Sequence, residues 1–113
     1  MSDDCLFCRI ISGEIPVKFV AGSPECVAFR DNNPQAPTHI LIVPRAHIPT
    51  LGRVKDPLIM GQLTRLATEV AASEGIAGSG YRVVVNTGDD GGQTVNHLHM
   101  HLLGGRRMAW PPG

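Results

Sequence analysis

The sequence predicts a single α+β domain over residues 1–113, built on a five-stranded antiparallel sheet with one long helix and one short helix. Three observations support this fold class. Short apolar segments alternate with segments rich in turn-forming residues, as expected of strands. One longer segment carries apolar residues at helical spacing. Near the C-terminus, "HLHMHLL" at 97–103 alternates histidine with apolar residues, which is typical of a strand with one buried face.

The first predicted element is a short helix over "CLFCRIIS" at 5–12, which Asp3 or Asp4 caps and Gly13 ends. Three apolar segments follow and are predicted to be strands: "KFVAG" at 18–22, "CVAFR" at 26–30 and "HILIVPR" at 39–45. The loop between the second and third strands contains two asparagines and two prolines, so we expect it to be stiff.

The long helix is predicted from Pro57 to about Ala72, with Asp56 as its cap. Its buried face would consist of Ile59, Leu63, Leu66 and Val70. Two further strands are expected, "YRVVVN" at 81–86 and the histidine segment at 97–103. Between them lies "TGDDGGQTV", whose glycines allow the backbone to approach a ligand closely.

The composition argues against several classes of partner. Ten basic and ten acidic side chains cancel, and the aromatic residues are only three Phe, one Tyr and one Trp. The sequence therefore offers neither a basic footprint for nucleic-acid phosphates nor a stacking platform for bases. No segment approaches the run of about 20 apolar residues that a membrane-spanning helix needs. We expect a cytoplasmic protein with no nucleic-acid or membrane partner.

Three of the five histidines, His97, His99 and His101, occupy alternate positions. In a strand they would share one face at a spacing of about 7 Å, whereas a helix would scatter them. A plain cluster of core or surface histidines is one reading, but burying several imidazoles without partners is unfavourable. Rings about 7 Å apart cannot all ligate one ion. A phosphate or phosphoryl transition state can instead use one ring as nucleophile and the others as donors.

Cys5 and Cys8 have the C-x-x-C spacing of half a zinc site. The alternatives are a redox pair, which lacks its usual strand-to-helix setting here, and two buried thiols. Cys26 lies inside a predicted strand and is expected to be a small core residue.

Several separated segments, in order along nearly the whole chain, resemble one known family. They are "IISGEIP", "CVAFRD", "PQAPTHILIVPRAHI", "VVNTGDDGGQTV", the histidine segment "HLHMHLL" and "LLGGRRMAWPPG". The histidine segment matches the signature of the histidine triad (HIT) family, and the C-terminal segment is similar to the Hint branch, the nucleoside phosphoramidases.

The resemblance implies a HIT fold that forms homodimers, in which two five-stranded sheets join into one ten-stranded sheet and the long helices pack together. It implies hydrolysis of the P–N bond of adenosine or guanosine 5′-phosphoramidates, which releases AMP or GMP and an amine without a catalytic metal. Two alternatives are a dinucleoside polyphosphate hydrolase or nucleotidyltransferase of the same superfamily, and a nucleotide-binding module without catalysis.

The resemblance also implies roles for the residues that match the family motif. His99 would be the nucleophile and form a nucleotidyl-histidine intermediate. His101 would donate to the phosphate, and His39 would support the triad. Thr94 would lie beside the leaving group, where the branch usually carries serine.

The substrate contacts are carried over in the same way. Asp31 would accept hydrogen bonds from the ribose hydroxyls. The apolar positions expected to hold the purine are Phe7, Ile10, Ile15, Phe29 and Leu41. The positions expected at the phosphate are Asn86 and the backbone from Gly92 to Val95. Asn32 departs from the branched aliphatic residue that many relatives carry, and Trp110 would reach the active site of the partner subunit.

Relatives that carry the cysteine pair bind a structural zinc ion. The resemblance therefore implies a zinc site formed by Cys5, Cys8, His47 and His97, which would give His97 a task separate from those of His99 and His101.

Overall fold

Within residues 4–113, the part of the chain that the structure describes, five strands form one antiparallel sheet. The elements of this computed structural model are, in chain order, α1 (Leu6–Ile11), β1 (Phe19–Gly22), β2 (Cys26–Arg30), β3 (Thr38–Pro44), a 3₁₀ turn (Leu51–Arg53), α2 (Leu58–Ser73), β4 (Tyr81–Val84) and β5 (Met100–Gly104). The strand order is β1-β2-β3-β5-β4. The predicted α+β class is thus confirmed, with one long and one short helix.

The sheet separates two apolar clusters because alternate residues of a strand point to opposite faces. All of β3 is buried, since this central strand is covered on both sides. The long helix α2 covers one face with Leu63, Leu66 and Val70, three of the four residues predicted for its buried side. On the opposite face, α1 packs Phe7 and Ile10 against β2 and β3.

The histidine segment differs from its predicted span. β5 begins at Met100, so His97 and His99 precede the strand. The residues between the histidines still share one face, because Leu98, Met100 and Leu102 all belong to the cluster under α2. The alternation is therefore correct, and only the start of the ladder is later than expected. The strand starts late because the segment before Met100 is hydrogen-bonded to the loop after β3 and not to a strand: the Leu98 N–H donates to the Ile48 carbonyl at 2.7 Å.

The helix starts also differ slightly from the sequence interpretation. Asp4 does not cap α1; the N-cap is Cys5, whose Sγ accepts the Cys8 N–H at 3.4 Å. Asp3, the alternative cap, lies outside the described residues. At α2, Asp56 Oδ1 accepts the Leu58 N–H at 3.0 Å, and the helix begins one residue after Pro57.

No helix in residues 4–113 is both long enough and apolar enough to cross a membrane.

Candidate active site and metal cluster

The histidine side chains gather on the face of the sheet that α1 covers. His101 on β5 pairs with Leu41 on β3, and His39 lies two residues from Leu41 on the same face. His99 follows the same alternation just before β5, with its ring 4.9 Å from that of His101. Phe7 of α1 closes over this row, because its ring meets those of His97 and His99 edge-on at 5.8 Å and 5.0 Å.

His99 is held as a neutral ring with one defined free nitrogen. Its Nδ1 lies 2.7 Å from the carbonyl oxygen of His97, and a carbonyl only accepts, so Nδ1 carries the proton. Burial lowers the pKa of His99, against the opposing effects of this hydrogen bond and of the Asp31 carboxylate. The neutral form therefore leaves a lone pair on Nε2, so this nitrogen is chemically able to act as a nucleophile.

A chain of hydrogen bonds fixes the proton of His101 in the same way. The backbone N–H of Gln35 donates to Nδ1 of His39 at 3.0 Å, so a neutral His39 carries its proton on Nε2. That Nε2 lies 2.9 Å from Nδ1 of His101 and donates to it. A neutral His101 consequently carries its proton on Nε2, where it can donate to a ligand.

Both rings of this pair favour the neutral state. The pKa of His101 is lowered to about 4, chiefly by burial and further by the neighbouring His99 and His39 rings, while the Asp31 carboxylate opposes the shift. Burial also lowers the pKa of His39, although Asp31 opposes the shift with Oδ2 at 3.5 Å from the His39 Nε2. The side chains of Asp31, His39 and His101 lie close enough together to consider a metal, but the hydrogen bond between the two rings already uses the facing nitrogens.

A cavity of about 340 Å³ opens beside these rings, and an apolar cavity of about 100 Å³ adjoins it. The sequence-predicted residues that line the larger cavity are Phe7, Asp31, His39, Leu41, Thr94, Val95, His99 and His101. The smaller cavity adds Ile10 and Phe29, and Asn32 lines both. Most of the candidate residues are therefore brought to one place.

Four candidates lie elsewhere. Ile15 packs against the apolar cluster under α1 without lining either cavity. Asn86 is half-buried beyond the end of β4. Gly92 has φ of +82° in a turn where its N–H donates to the Asp89 carbonyl at 3.0 Å. Trp110 is 81% exposed in the C-terminal tail and lines neither cavity.

Sequence reasoning missed two glutamines that organise the site. Gln35 acts through its backbone N–H, which no side-chain motif can reveal. Gln93 uses its amide to tie the glycine-rich loop to the segment after β3: Nε2 donates to the carbonyls of Pro49 and Val95, and Oε1 accepts from the Thr50 hydroxyl and the Gly88 N–H. The signal available for Gln93 was a polar residue with a long side chain inside a glycine-rich loop.

The cysteine pair and two histidines form a second cluster next to the row. Nδ1 of His97 lies 3.4 Å from Cys5 Sγ and 3.6 Å from Cys8 Sγ, and Nδ1 of His47 lies 3.3 Å from Cys8 Sγ. The two Nδ1 atoms are 3.3 Å apart. All four ligand atoms lie within 4.8 Å of one another.

These separations match a tetrahedral metal site. With Zn–N near 2.0–2.1 Å and Zn–S near 2.3 Å, tetrahedral ligand atoms lie about 3.3 Å (N to N) to about 3.8 Å (S to S) apart. The second ring nitrogen of His97 is also committed, because its Nε2–H donates to the Pro44 carbonyl at 2.8 Å. This leaves the Nδ1 lone pair directed at the cluster, as metal-ligating histidines require.

Comparison with known proteins gives consistent matches over the whole chain. The model of the family described as "HIT domain" matches residues 12–108. An uncharacterized HIT-like protein of Synechococcus elongatus is 50% identical over 115 residues, with 100% of both chains covered. A HIT family hydrolase from Legionella pneumophila Philadelphia 1 is 49% identical with a TM-score of 0.93, covering 96% of this chain and 99% of that one. A HIT family hydrolase from Clostridium thermocellum is 40% identical with a TM-score of 0.93, covering 96% of each chain.

Proposed function

This chain belongs to the HIT domain family, and we propose that it hydrolyses the P–N bond of purine nucleoside 5′-phosphoramidates. Proteins of this family bind nucleotides, and the two solved neighbours are described as hydrolases. The observation that carries the proposal is the pair of imidazoles in one cavity lining, with an unprotonated Nε2 on His99 and a protonated Nε2 on His101. A phosphoryl group needs both a nucleophile and a hydrogen-bond donor.

The reaction would proceed in two displacements. Nε2 of His99 attacks the α-phosphorus, a bond from phosphorus to the imidazole forms, and the bond from phosphorus to the amine breaks. The ring becomes positively charged, and the 2.7 Å hydrogen bond from its Nδ1 to the His97 carbonyl stabilises that charge. Water then attacks the phosphorus, the imidazole leaves, and neutral His99 is restored with release of the nucleoside monophosphate.

His101 and Thr94 would serve the groups around the phosphorus. The Nε2–H of His101 donates to a phosphate oxygen, where negative charge builds up during each displacement. Thr94 is exposed and lines the cavity, so its hydroxyl can relay a proton: it takes one from solvent water as it passes its own to the departing amine nitrogen. Because neutral His101 supplies the hydrogen-bond donor to the phosphate oxygen, that role would need no metal ion.

The nucleoside would occupy the side of the cavity next to α1. The apolar cavity formed by Phe7, Ile10, Phe29 and Leu41 suits a purine ring. Asp31 Oδ1 already accepts the Asn33 N–H at 2.8 Å, so Oδ2 is the oxygen available to a ribose hydroxyl. Asn32 lines both cavities and adds an amide where an apolar contact would otherwise form.

We assign the cluster of Cys5, Cys8, His47 and His97 to a structural zinc ion. Two thiolates and two neutral imidazoles are a donor set that zinc prefers, and the ligand separations fit its tetrahedral geometry. The ion would tie the start of α1 to the loop after β3, which carries His47, and to the segment before β5, which carries His97. It would supply no catalytic step. Elemental analysis of protein purified without added metal should give about one zinc per chain, and Cys8→Ser should lose most of it. A wild type with less than about a tenth of an equivalent would contradict the assignment.

We also propose that the protein works as a homodimer. β4 is an edge strand whose Tyr81 and Val83 are 38% and 41% exposed, and Leu58 at the start of α2 is 62% exposed. Pairing of two β4 edges would join two sheets into one of ten strands and would protect these unpaired strand edges. Sedimentation equilibrium should give twice the chain mass for the wild type and a smaller average mass for Val83→Lys.

The decisive experiment compares wild type and His99→Asn on adenosine 5′-phosphoramidate and on a diadenosine polyphosphate. We expect rapid phosphoramidate cleavage by the wild type and at least about a thousandfold loss in the variant, as for removal of a covalent route. Binding of AMP to His99→Asn, measured by calorimetry, is the control for an intact site. Preferential cleavage of the polyphosphate would move the activity to another branch of the family. No cleavage of either, with AMP still bound, would leave a binding module.

A further inference from the structure

A contact outside the cavity holds the loop that sets the proton on His39. The guanidinium of Arg106, two residues beyond β5, donates to the Gln35 carbonyl from Nε at 3.2 Å and from Nη2 at 3.0 Å. Its third nitrogen, Nη1, donates to the Arg107 carbonyl at 3.1 Å. The guanidinium is therefore held on both sides, and it links the segment after the strand that carries His101 to the loop 31–37.

Gln35 is exposed, yet three of its polar groups are hydrogen-bonded to the protein. Its N–H donates to Nδ1 of His39, its carbonyl accepts from Arg106, and its side-chain Nε2 donates to the Asn33 carbonyl at 3.0 Å. In an exposed loop, water competes for each of these groups. Among these hydrogen bonds, only the contact with Arg106 has a charged donor, and two of its N–H groups share the Gln35 carbonyl. Hydrogen bonds from charged donors are stronger than those between neutral groups.

The chain between β5 and Arg106 is shaped for this approach. Gly105 has φ of +88°, a conformation that favours glycine, and a Cβ there would lie 2.9 Å from the Cβ of Pro37. The turn after β5 thus packs directly on the loop 31–37. A residue with a side chain at 105 would push the two segments apart and separate Arg106 from Gln35.

We propose that Arg106 is a positioning residue, which holds the Gln35 N–H on His39 and thereby keeps the proton of His101 on the nitrogen that faces the substrate. If His39 carried its proton on Nδ1, the Gln35 N–H would face another N–H. His39 Nε2 would then be a lone pair opposite Nδ1 of His101, and that nitrogen would have to take the proton. His101 would present a lone pair, not a donor, to an anionic phosphate. The inference rests on the proposed function for its catalytic consequence, but the proton positions are a property of the free protein.

The test uses ligand-free protein labelled with ¹⁵N in its histidines, observed by NMR at one neutral pH. In the wild type we expect a protonated Nε2 and an unprotonated Nδ1 on both His39 and His101. In Arg106→Ala the two nitrogen signals of His39 should move towards each other, as in exchange between the two neutral forms. Phosphoramidate turnover should fall about threefold to tenfold, the size expected for losing the net contribution of one typical hydrogen bond. Arg106→Lys, which keeps one donor, should lie between them.

Arg107→Ala is the matched control, because it removes an equal charge from the adjacent position, whose carbonyl alone takes part in the contact. Unchanged His39 nitrogens in Arg106→Ala would overturn the proposal, and so would an equal change in Arg107→Ala. A wild type without phosphoramidase activity would instead contradict the proposed function, and the comparison of nitrogen signals would still decide the role of Arg106. If Arg106→Ala does not fold, Arg106→Lys against Arg107→Lys gives the same comparison.

Discussion

Acid should destabilise the folded protein through His101. Burial and the neighbouring rings lower the pKa of His101 to about 4, whereas an unfolded histidine titrates near 6.5. Between these values the unfolded chain binds more protons than the folded one, so stability rises with pH in this window. The contribution of His101 is thus fully present above about pH 6.5 and is lost as the pH falls towards 4. From pH 7.5 to 4.5 this loss amounts to about 2.5 kcal/mol, or roughly 1–2 kcal/mol after allowing for solvent screening of a half-buried ring.

Urea denaturation of wild type and His101→Gln at a series of pH values tests this reasoning. The glutamine amide does not titrate, so the stability difference between the two proteins should change by roughly 1–2 kcal/mol between pH 7.5 and 4.5. Effects of the lost hydrogen bond to His39 act at every pH and cancel in this comparison. Both proteins need the same metal content at each pH, because protonation of cysteine and histidine ligands also releases a metal. Parallel loss of stability in the two proteins would refute a His101 ring that the fold keeps neutral.

Two glycines allow predictions that separate stability from activity. Gly104→Ala would place a Cβ 2.6 Å from Cδ1 of the buried Ile76, so overpacking should lower the free energy of unfolding by about 1–3 kcal/mol in urea titrations. In Gly91→Ala the added Cβ would overlap the Thr87 carbonyl, so the loop before Thr94 must shift. We expect phosphoramidate turnover to fall about tenfold while the urea midpoint changes little. An unchanged turnover would contradict this expectation. Gly78→Ala, with nothing within 4 Å of the added Cβ, is the control for both.

The fold was predictable because its main signals are local. The spacing of Leu63, Leu66 and Val70 and the alternation from His97 to Leu102 depend only on helix and strand periodicity. The start of β5 was not predictable in this way. It depends on whether Leu98 pairs with a strand or with the carbonyl of Ile48, fifty residues earlier in the chain.

In the candidate site, too, local spacing predicted some features, whereas others depend on contacts between distant segments. Alternate spacing correctly placed the three imidazoles on one face, and Phe7 covers two of them. Which nitrogen of each ring carries the proton depends on backbone groups far away in sequence, such as the Pro44 carbonyl for His97 and the Gln35 N–H for His39. Backbone groups are the same in every residue, so a sequence motif cannot specify these partners. They become visible only once the fold has brought the segments together.

His97 shows how two clusters can share one residue without sharing chemistry. Its Nδ1 points at the two thiols and His47, its Nε2–H is bound by the Pro44 carbonyl, and its own carbonyl accepts the Nδ1–H of His99. A metal bound at Nδ1 would therefore restrain the same backbone that orients the nucleophile. Removal of the proposed zinc ion should then weaken the alignment of His99 more than the binding of AMP, since none of its four proposed ligands lines either cavity. On the proposed mechanism, the zinc site would supply no reacting atom and would act only by holding the backbone two residues from the proposed nucleophile.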